Sequence, residues 1–201
     1  MKYSPRMIAG ALLLLAGVAI LMGIITAESY YPPGYHTATS EISDLGATRP
    51  PGSVTYQPSG TIFNATMIIT GLMLMGAAFF TCRTFRRKLV TFPIMLLGLG
   101  VFGVGIFPGN NGDIHPWFAM MAFVFGGLAA TASAKVTAGP FRYIVVVLGT
   151  ITLVTLLTAG IWIEHIGDGG TERWVAYPVV LWMTAFGGYL LANGNTQDRK
   201  R

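Results

Sequence analysis

The chain has 201 residues, of which 53% are hydrophobic and only 10% are charged. A soluble globular domain usually has about 25% charged residues, so this composition excludes a disordered chain and an ordinary water-soluble domain. The composition and length instead predict an integral membrane protein with a single domain, residues 1–201. The one cysteine, Cys82, excludes an internal disulfide.

Six apolar segments are long enough to cross about 30 Å of hydrocarbon as helices, which takes about 20 residues each. None of them contains Asp, Glu, Lys or Arg, as the cost of a charge in lipid requires. Helices are expected because each segment must satisfy its own backbone hydrogen bonds. The sequence therefore predicts an all-α bundle of six transmembrane helices, with spans at about 7–27, 62–82, 89–108, 115–134, 143–163 and 174–192.

The basic residues lie almost entirely on one side of these segments, and the positive-inside rule assigns that side to the cytoplasm. We therefore expect a multi-pass protein of the cell membrane with both termini in the cytoplasm. The net charge of +5 follows from this topology, so a nucleic-acid partner is not expected. Eleven of the 13 basic residues are on the cytoplasmic side: Lys2, Arg6, Arg83, Arg86, Arg87, Lys88, Lys135, Arg142, Arg199, Lys200 and Arg201.

The acidic residues and histidines collect on the opposite, extracytoplasmic side. All three histidines and every acidic residue except Asp198 are there. Acidic side chains contribute little to orientation during insertion, so their clustering indicates where polar chemistry takes place. The long first loop, about residues 28–61, lies on the same side, and loops of that length are usually functional.

Part of this loop, residues 36–46, is predicted to form a short helix. Thr39 or Ser40 would cap its start and Gly46 would end it. A helix there would place Asp44 on the same face as Ser40, one turn away.

Polar residues from several segments make a candidate site at this face. Asp44 is next to apolar Leu45 and near the membrane surface. Partial desolvation there raises the pKa of its carboxyl group unless Arg49 or Arg173 pairs with it. With His115 it makes a candidate catalytic acid–base pair. Asn64 begins a lipid-buried span and needs a polar partner. The candidate substrate-binding residues are Ser43, Asn64, Glu172 and Arg173.

Metal and cofactor motifs are weak. No cofactor is expected, because no H-x-x-x-H or C-x-x-C spacing occurs and the phosphate-loop, dinucleotide and G-x-S-x-G signatures are absent. Zinc stays an open alternative, since imidazole and carboxylate groups are among its usual ligands. Such a site would use His36, His115, His165 and Asp44.

Several short elements together resemble a known family. They are Ser43-Asp44-Leu45-Gly46 in the first loop, Ile62-Phe63-Asn64 opening the second span, Phe107-Pro108 closing the third, His115 opening the fourth and Glu172-Arg173 opening the sixth. With these elements the chain resembles the prokaryotic six-span membrane proteins called domain of unknown function 998, over nearly its whole length. This resemblance implies a fold and a site location but no reaction.

A second, distant similarity involves the first of these elements. The string Ile42-Ser43-Asp44-x-Gly46 is similar to the signature of the Frag/DRAM/Sfk group of eukaryotic six-span proteins. Members of that group are linked to lipid remodelling of membrane anchors and to autophagy. This similarity therefore implies a function that involves membrane lipids.

Two functions from different classes fit these observations. The first is a lipid-handling or lipid-modifying protein with membrane lipids as partners, in which Arg173 binds a lipid phosphate and Asp44 with His115 orients or activates the headgroup or a water. The second is a non-enzymatic structural or partner-binding protein, in which Asp44, Asn64 and Arg173 tie the loop to the bundle. The residues leave open whether the protein is an enzyme and which proteins it meets. A transporter is less favoured, since the spans contain no ionisable residue near the midplane.

Overall fold

The computed structural model describes residues 3–194, and this part of the chain is helical with no strand. Every helix except α5 is long and apolar enough to cross a membrane, whereas α5 is apolar but has only 17 residues. These findings confirm a multi-helix membrane bundle, and the number of six spans stays a prediction. The helices are α1 Pro5–Ser29, α2 Ser59–Phe85, α3 Lys88–Ile106, α4 His115–Ser133, α5 Phe141–Leu157 and α6 Ala159–Ala192, with one 3-10 turn at Ser43–Leu45.

The six helices form a ring. Each packs against its neighbour in the chain, α6 returns to pack against α1, and α4 also touches α6 across the ring. Short connections favour such antiparallel neighbours. The outer surface is apolar, as a lipid-facing surface must be: on α1 alone Leu15, Val18, Met22 and Ile25 are exposed, at helical spacing.

Glycines bring the helix backbones close together. A Cβ atom at Gly10 of α1 would lie 2.7 Å from the carbonyl oxygen of Gly187 on α6, and one at Gly98 of α3 would lie 3.0 Å from that of Gly71 on α2. Small residues allow this approach between membrane helices, where packing contacts replace the hydrophobic effect as the force holding helices together.

The boundary between α5 and α6 differs from the predicted spans. The predicted fifth span runs to residue 163, but α5 ends at Leu157 and α6 begins two residues later. A kink then follows at Gly167, which has φ 75° and ψ 173°, so residues 159–166 form a separate helical segment before the predicted sixth span. Glycine adopts this backbone conformation without steric cost. The apolar run from 143 to 163 has no proline or charge to mark the break.

The short helix predicted for residues 36–46 is present only as the 3-10 turn Ser43–Leu45. Side chains bond locally to the backbone instead. Ser40 Oγ accepts a hydrogen bond from the His36 amide at 3.2 Å, and Asp44 Oδ2 accepts one from the Glu41 amide at 2.9 Å. Such bonds give the chain an alternative to helical hydrogen bonding.

Candidate functional site

The loop that joins α1 to α2 covers one end of the ring, here called the loop end, and Arg173 of α6 holds it there. Arg173 Nη1 donates hydrogen bonds to the carbonyl oxygens of Thr37 at 2.8 Å, Ser40 at 2.9 Å and Gly169 at 2.9 Å. Its Nη2 donates to Tyr35 Oη at 2.7 Å. The residue is only 9% exposed, and a buried guanidinium needs this degree of pairing. Within residues 3–194, its Nε is buried without a hydrogen-bond partner.

The loop lies against α6 because two glycines leave room for it. A Cβ atom at Gly169 would overlap the carbonyl oxygen of Ser40, and one at Gly167 would overlap that of Ala38. The amide of Gly170 donates a hydrogen bond to the Ala38 carbonyl at 3.0 Å. The kink in α6 is therefore the place where the loop backbone packs against this helix.

Asn64 and Ser59 tie the other side of the loop to α2. Asn64 Nδ2 donates to the carbonyl oxygen of Gly46 at 3.4 Å, and Ser59 Oγ donates to that of Leu45 at 3.1 Å. Asn64 Oδ1 is buried without a partner in the described part of the chain. The polar partner expected for Asn64 is thus the loop backbone.

A cluster of carboxyl groups lies under the loop. Arg49 Nη2 pairs with Glu41 Oε2 at 2.6 Å, so Arg49, one of the two arginines considered as partners of Asp44, is paired with Glu41. Burial raises the pKa of Asp44, although the Glu41 amide and the charges of Arg49, His115 and Arg173 oppose the rise. Burial likewise raises the pKa of Glu41, and the charge of Arg49 opposes it.

Glu172 is the third carboxyl group of this cluster, and it points under the loop from α6. Its Oε2 accepts a short hydrogen bond from the Ile42 amide. It therefore meets the loop one residue before Ser43, whose Oγ donates to Glu41 Oε2 at 3.3 Å. Hydrogen bonds to the loop backbone and to the Ser43 side chain therefore connect the carboxyl groups of this cluster to the loop.

His115, the first residue of α4, is 2% exposed. Its Nδ1 lies 2.7 Å from the carbonyl oxygen of Phe107. Because a carbonyl only accepts, we assign the proton of the neutral ring to Nδ1, which leaves Nε2 as an acceptor. Asp44 and His115 interact through their charges, but no hydrogen bond joins them within residues 3–194.

A partly enclosed cavity of about 90 Å³, here called the core cavity, begins beneath this cluster and runs into the bundle. Its walls come from every helix except α5 and are apolar, including Ile24, Met67, Val101, Val179 and Met183. Its polar lining residues are Ser43, His115 and Glu172. Three of the predicted site residues therefore meet at one cavity. The other three do not line it: Asn64 and Arg173 bind the loop backbone, and Asp44 belongs to the cluster of carboxyl groups under the loop.

The residues suggested for zinc are not gathered into a ligand set. Within residues 3–194, no group of three or more His, Cys, Asp or Glu side chains is arranged to hold a metal ion. His36 and His165 are exposed, whereas His115 is buried beside the cavity.

Sequence patterns did not single out Tyr35 or the cavity walls. Tyr35 Oη both accepts from Arg173 and donates to the Glu41 carbonyl at 3.0 Å, and burial raises the pKa of this phenol. The walls are ordinary Ile, Val and Met residues in apolar helices, so nothing in their local sequence distinguishes them from lipid-facing neighbours.

Comparison with known proteins identifies the family but no characterised relative. No curated protein and no solved structure matches the chain. A family model described as Protein of unknown function (DUF998) matches residues 14–189. That match covers most of the 201 residues, including the loop, the cavity and Arg173. The chain therefore belongs to the family of proteins of unknown function designated DUF998.

Proposed function

We propose that this membrane protein handles lipid, by taking a single apolar chain into the core cavity with its polar head at the loop end. The observation that carries the proposal is the cavity itself, which has apolar walls and polar groups on Ser43, His115 and Glu172. Ligand sites commonly combine an apolar pocket with a few convergent polar groups.

The proportions of the core cavity favour an unbranched chain. On α3 its lining residues run from Leu97 to Val104, about 10 Å of helix at 1.5 Å per residue. Its volume of about 90 Å³ spread over that depth describes a narrow channel. An apolar cavity of about 150 Å³ binds benzene, so the smaller core cavity has room for only a few methylene groups of a chain.

We further propose that the loop end faces away from the cytoplasm, with both termini inside. Of the basic residues in the described part of the chain, only Arg49 and Arg173 lie at the loop end. The positive-inside rule favours this orientation, and it would put the polar part of the cavity next to the outer leaflet.

Lipid modification is a narrower form of the proposal. His115 lines the cavity, and its Nε2 is an acceptor able to take a proton from a headgroup or a water. Asp44 does not line the cavity. Its negative charge would instead stabilise the protonated imidazole of His115 after the proton is taken. Ser43 and Glu172 would position the head.

One observation favours the second candidate, a structural or partner-binding role. Both terminal nitrogens of Arg173 are already bonded to the loop and to α6, so a lipid phosphate would have to displace those bonds. In this alternative Arg173 and Asn64 hold the loop as a binding surface, and the cavity has no ligand.

Photolabelling in phosphatidylcholine nanodiscs distinguishes the two candidates. The probe is dodecanol with a diazirine on its chain, and labelled residues are mapped by mass spectrometry. Lipid handling predicts labels on Met67 and Met183 in the cavity. Labels confined to lipid-facing residues such as Leu15 and Leu181 would contradict it.

A pair of variants on α6 provides the control. Ala176→Leu adds three carbons inside the cavity, so cavity labelling should fall several-fold. Ala185→Leu makes the same change at an exposed position outside the cavity and should leave labelling unchanged. The thermal unfolding midpoint of each variant checks that both remain folded.

A further inference from the structure

We infer that the ligand of the core cavity is a single-chain amine, whose protonated headgroup donates hydrogen bonds to Glu172 and His115. This inference rests on the proposed function and names the class of headgroup. It follows from which polar side chains line the cavity, which of their atoms are already paired, and the balance of charge around them.

The polar groups at the cavity are mainly acceptors. Glu172 uses Oε2 to accept from the Ile42 amide, which leaves the lone pairs of the second carboxylate oxygen. His115 is 98% buried, and with Nδ1 on the Phe107 carbonyl its acceptor Nε2 has no hydrogen bond to residues 3–194. An acceptor that lines a cavity and has no partner gains a hydrogen bond when a donor arrives, so a ligand that donates is favoured.

Ser43 adds little donor capacity to this site. Its hydroxyl proton already points to Glu41 Oε2 at 3.3 Å, so its remaining lone pairs are again acceptors. A carboxylate or phosphate headgroup brings only acceptors, and it would face acceptors on all three side chains. An ammonium group supplies three donors.

The charges around the site favour a cation. Asp44 lies near enough to influence the ionisation of Glu41, and both lie near enough to influence that of Glu172. Arg49 is paired with Glu41, and the terminal nitrogens of Arg173 are bonded to Thr37, Ser40, Gly169 and Tyr35. The carboxyl groups of Asp44 and Glu172 therefore have no ion-pair partner in the described part of the chain, and an ammonium head would supply one.

The apolar walls define the rest of the ligand. Ile24, Met67, Val101 and Val179 offer no hydrogen-bonding group to a second polar segment. Each methylene group buried there is removed from water, which stabilises the bound chain. An ammonium group beside Ser43, His115 and Glu172, with an unbranched alkyl chain between the apolar walls, matches both the polar and the apolar part of the site.

The test is competition against the photolabelling of Met67 and Met183 by the diazirine dodecanol. Dodecylamine, dodecanol and dodecanoate have the same chain length, and each is titrated over the same range of concentration in the nanodisc membrane. Charge-assisted hydrogen bonds contribute about 1.5–3 kcal/mol, so the amine should compete at a concentration at least about tenfold lower than the alcohol. Dodecanoate should compete least.

Two variants connect this preference to Glu172. Glu172→Gln keeps an oxygen for the Ile42 amide but removes the charge, so the advantage of the amine over the alcohol should disappear. The thermal unfolding midpoint checks that this variant remains folded. Glu164→Gln, an exposed acid at the same end, is the matched control and should keep the preference.

The outcomes separate this inference from the proposed function. Cavity labelling without a preference for the amine, or with dodecanoate as the best competitor, overturns the headgroup class and leaves lipid handling standing. No labelling of the cavity overturns both. An amine preference that survives Glu172→Gln also overturns the inference, because the charge of Glu172 would then have no part in it.

Discussion

At the scale of single residues, the loop end collects charged groups that an apolar bundle would otherwise exclude. Arg173 is 9% exposed and Asp44 is half-buried, and each is stabilised by backbone groups of the loop. Arg173 binds carbonyl oxygens, whereas Asp44 accepts the amide of Glu41. Opposite charges are therefore neutralised mainly by oriented peptide dipoles, with Arg49 and Glu41 forming the direct ion pair.

The first prediction concerns Asp44 and pH. Burial raises the pKa of Asp44 above its ordinary value of 3.8 in the folded protein. The folded state therefore holds this proton over a pH range in which the unfolded state has lost it, so stability falls as pH rises from about 4 through the raised pKa. Asp44→Asn keeps an acceptor for the Glu41 amide and removes the charge.

We expect Asp44→Asn to be more stable than the parent at pH 7, by about 0.5 kcal/mol because half of the carboxyl is exposed and its interactions are screened. The difference should vanish near pH 3. Thermal unfolding midpoints of both proteins between pH 3 and pH 8 measure it, with the exposed Asp113→Asn as control. Equal unfolding midpoints of Asp44→Asn and the parent throughout that range would contradict a raised pKa of Asp44.

At the scale of elements, close backbone contacts decide the architecture. The ring closes where Gly10 and Gly187 bring α1 and α6 together, and the loop seats where Gly167 and Gly169 open a space on α6. Leu, Ile and Val at those positions would be equally apolar but would separate the backbones. Shape at a few small residues therefore matters more than the average hydrophobicity of a helix.

The second prediction concerns Gly169. A Cβ atom there overlaps the Ser40 carbonyl oxygen, which is backbone and has little room to move. Gly169→Ala should push the loop from α6, weaken the bonds of Arg173 and lower stability by about 1–3 kcal/mol. Chymotrypsin cleavage after Tyr35, whose hydroxyl is bonded to Arg173 in the parent, should become several-fold faster when followed by mass spectrometry.

Gly188→Ala is the control on the same helix. Its Cβ atom would meet only Leu14 Cδ1, at 3.9 Å, and alanine in a helix is favoured over glycine by about 0.5–1 kcal/mol. This variant should match or exceed the parent in stability. If Gly169→Ala behaves in the same way and the loop stays resistant to chymotrypsin, the glycine contact does not hold the loop.

At the scale of the whole molecule, charge is divided between the two ends of the ring. The end opposite the loop carries all described basic residues except Arg49 and Arg173, and within residues 3–194 it has no acidic residue. Acidic residues collect at the loop end, where the loop backbone and the two arginines partner some of them. This division supports the proposed orientation, because translocated segments carry few basic residues.

The third prediction tests that orientation. In a Cys82→Ser background, Ser53→Cys places a thiol in the exposed part of the loop and Ala138→Cys places one in the exposed connection between α4 and α5. A membrane-impermeant maleimide added to intact cells should label the first variant only, and permeabilised cells should label both. Labelling of only Ala138→Cys in intact cells would reverse the orientation.

Local composition was sufficient to predict that the protein is a helical membrane bundle. Apolar segments of about 20 residues without charge have few alternatives, since lipid penalises both charge and unpaired backbone. Ser43, His115 and Glu172 were also predicted as site residues, because polar groups at the ends of apolar spans are conspicuous. The break at Thr158 was not predicted, because it lies inside an apolar stretch that is typical of continuous helix. The kink at Gly167 lies in the polar connection predicted between the fifth and sixth spans.

Sequence by itself determined the class of fold and the face on which polar residues gather, because hydropathy and charge act on each segment independently of its neighbours. Tertiary structure alone decided what those residues touch. The bonds of Arg173 to the loop and the core cavity join segments far apart in the chain. Arg49 and Glu41 are only eight residues apart, but they pair because the loop folds back on itself. Such contacts depend on helix packing and loop closure, which no local pattern encodes.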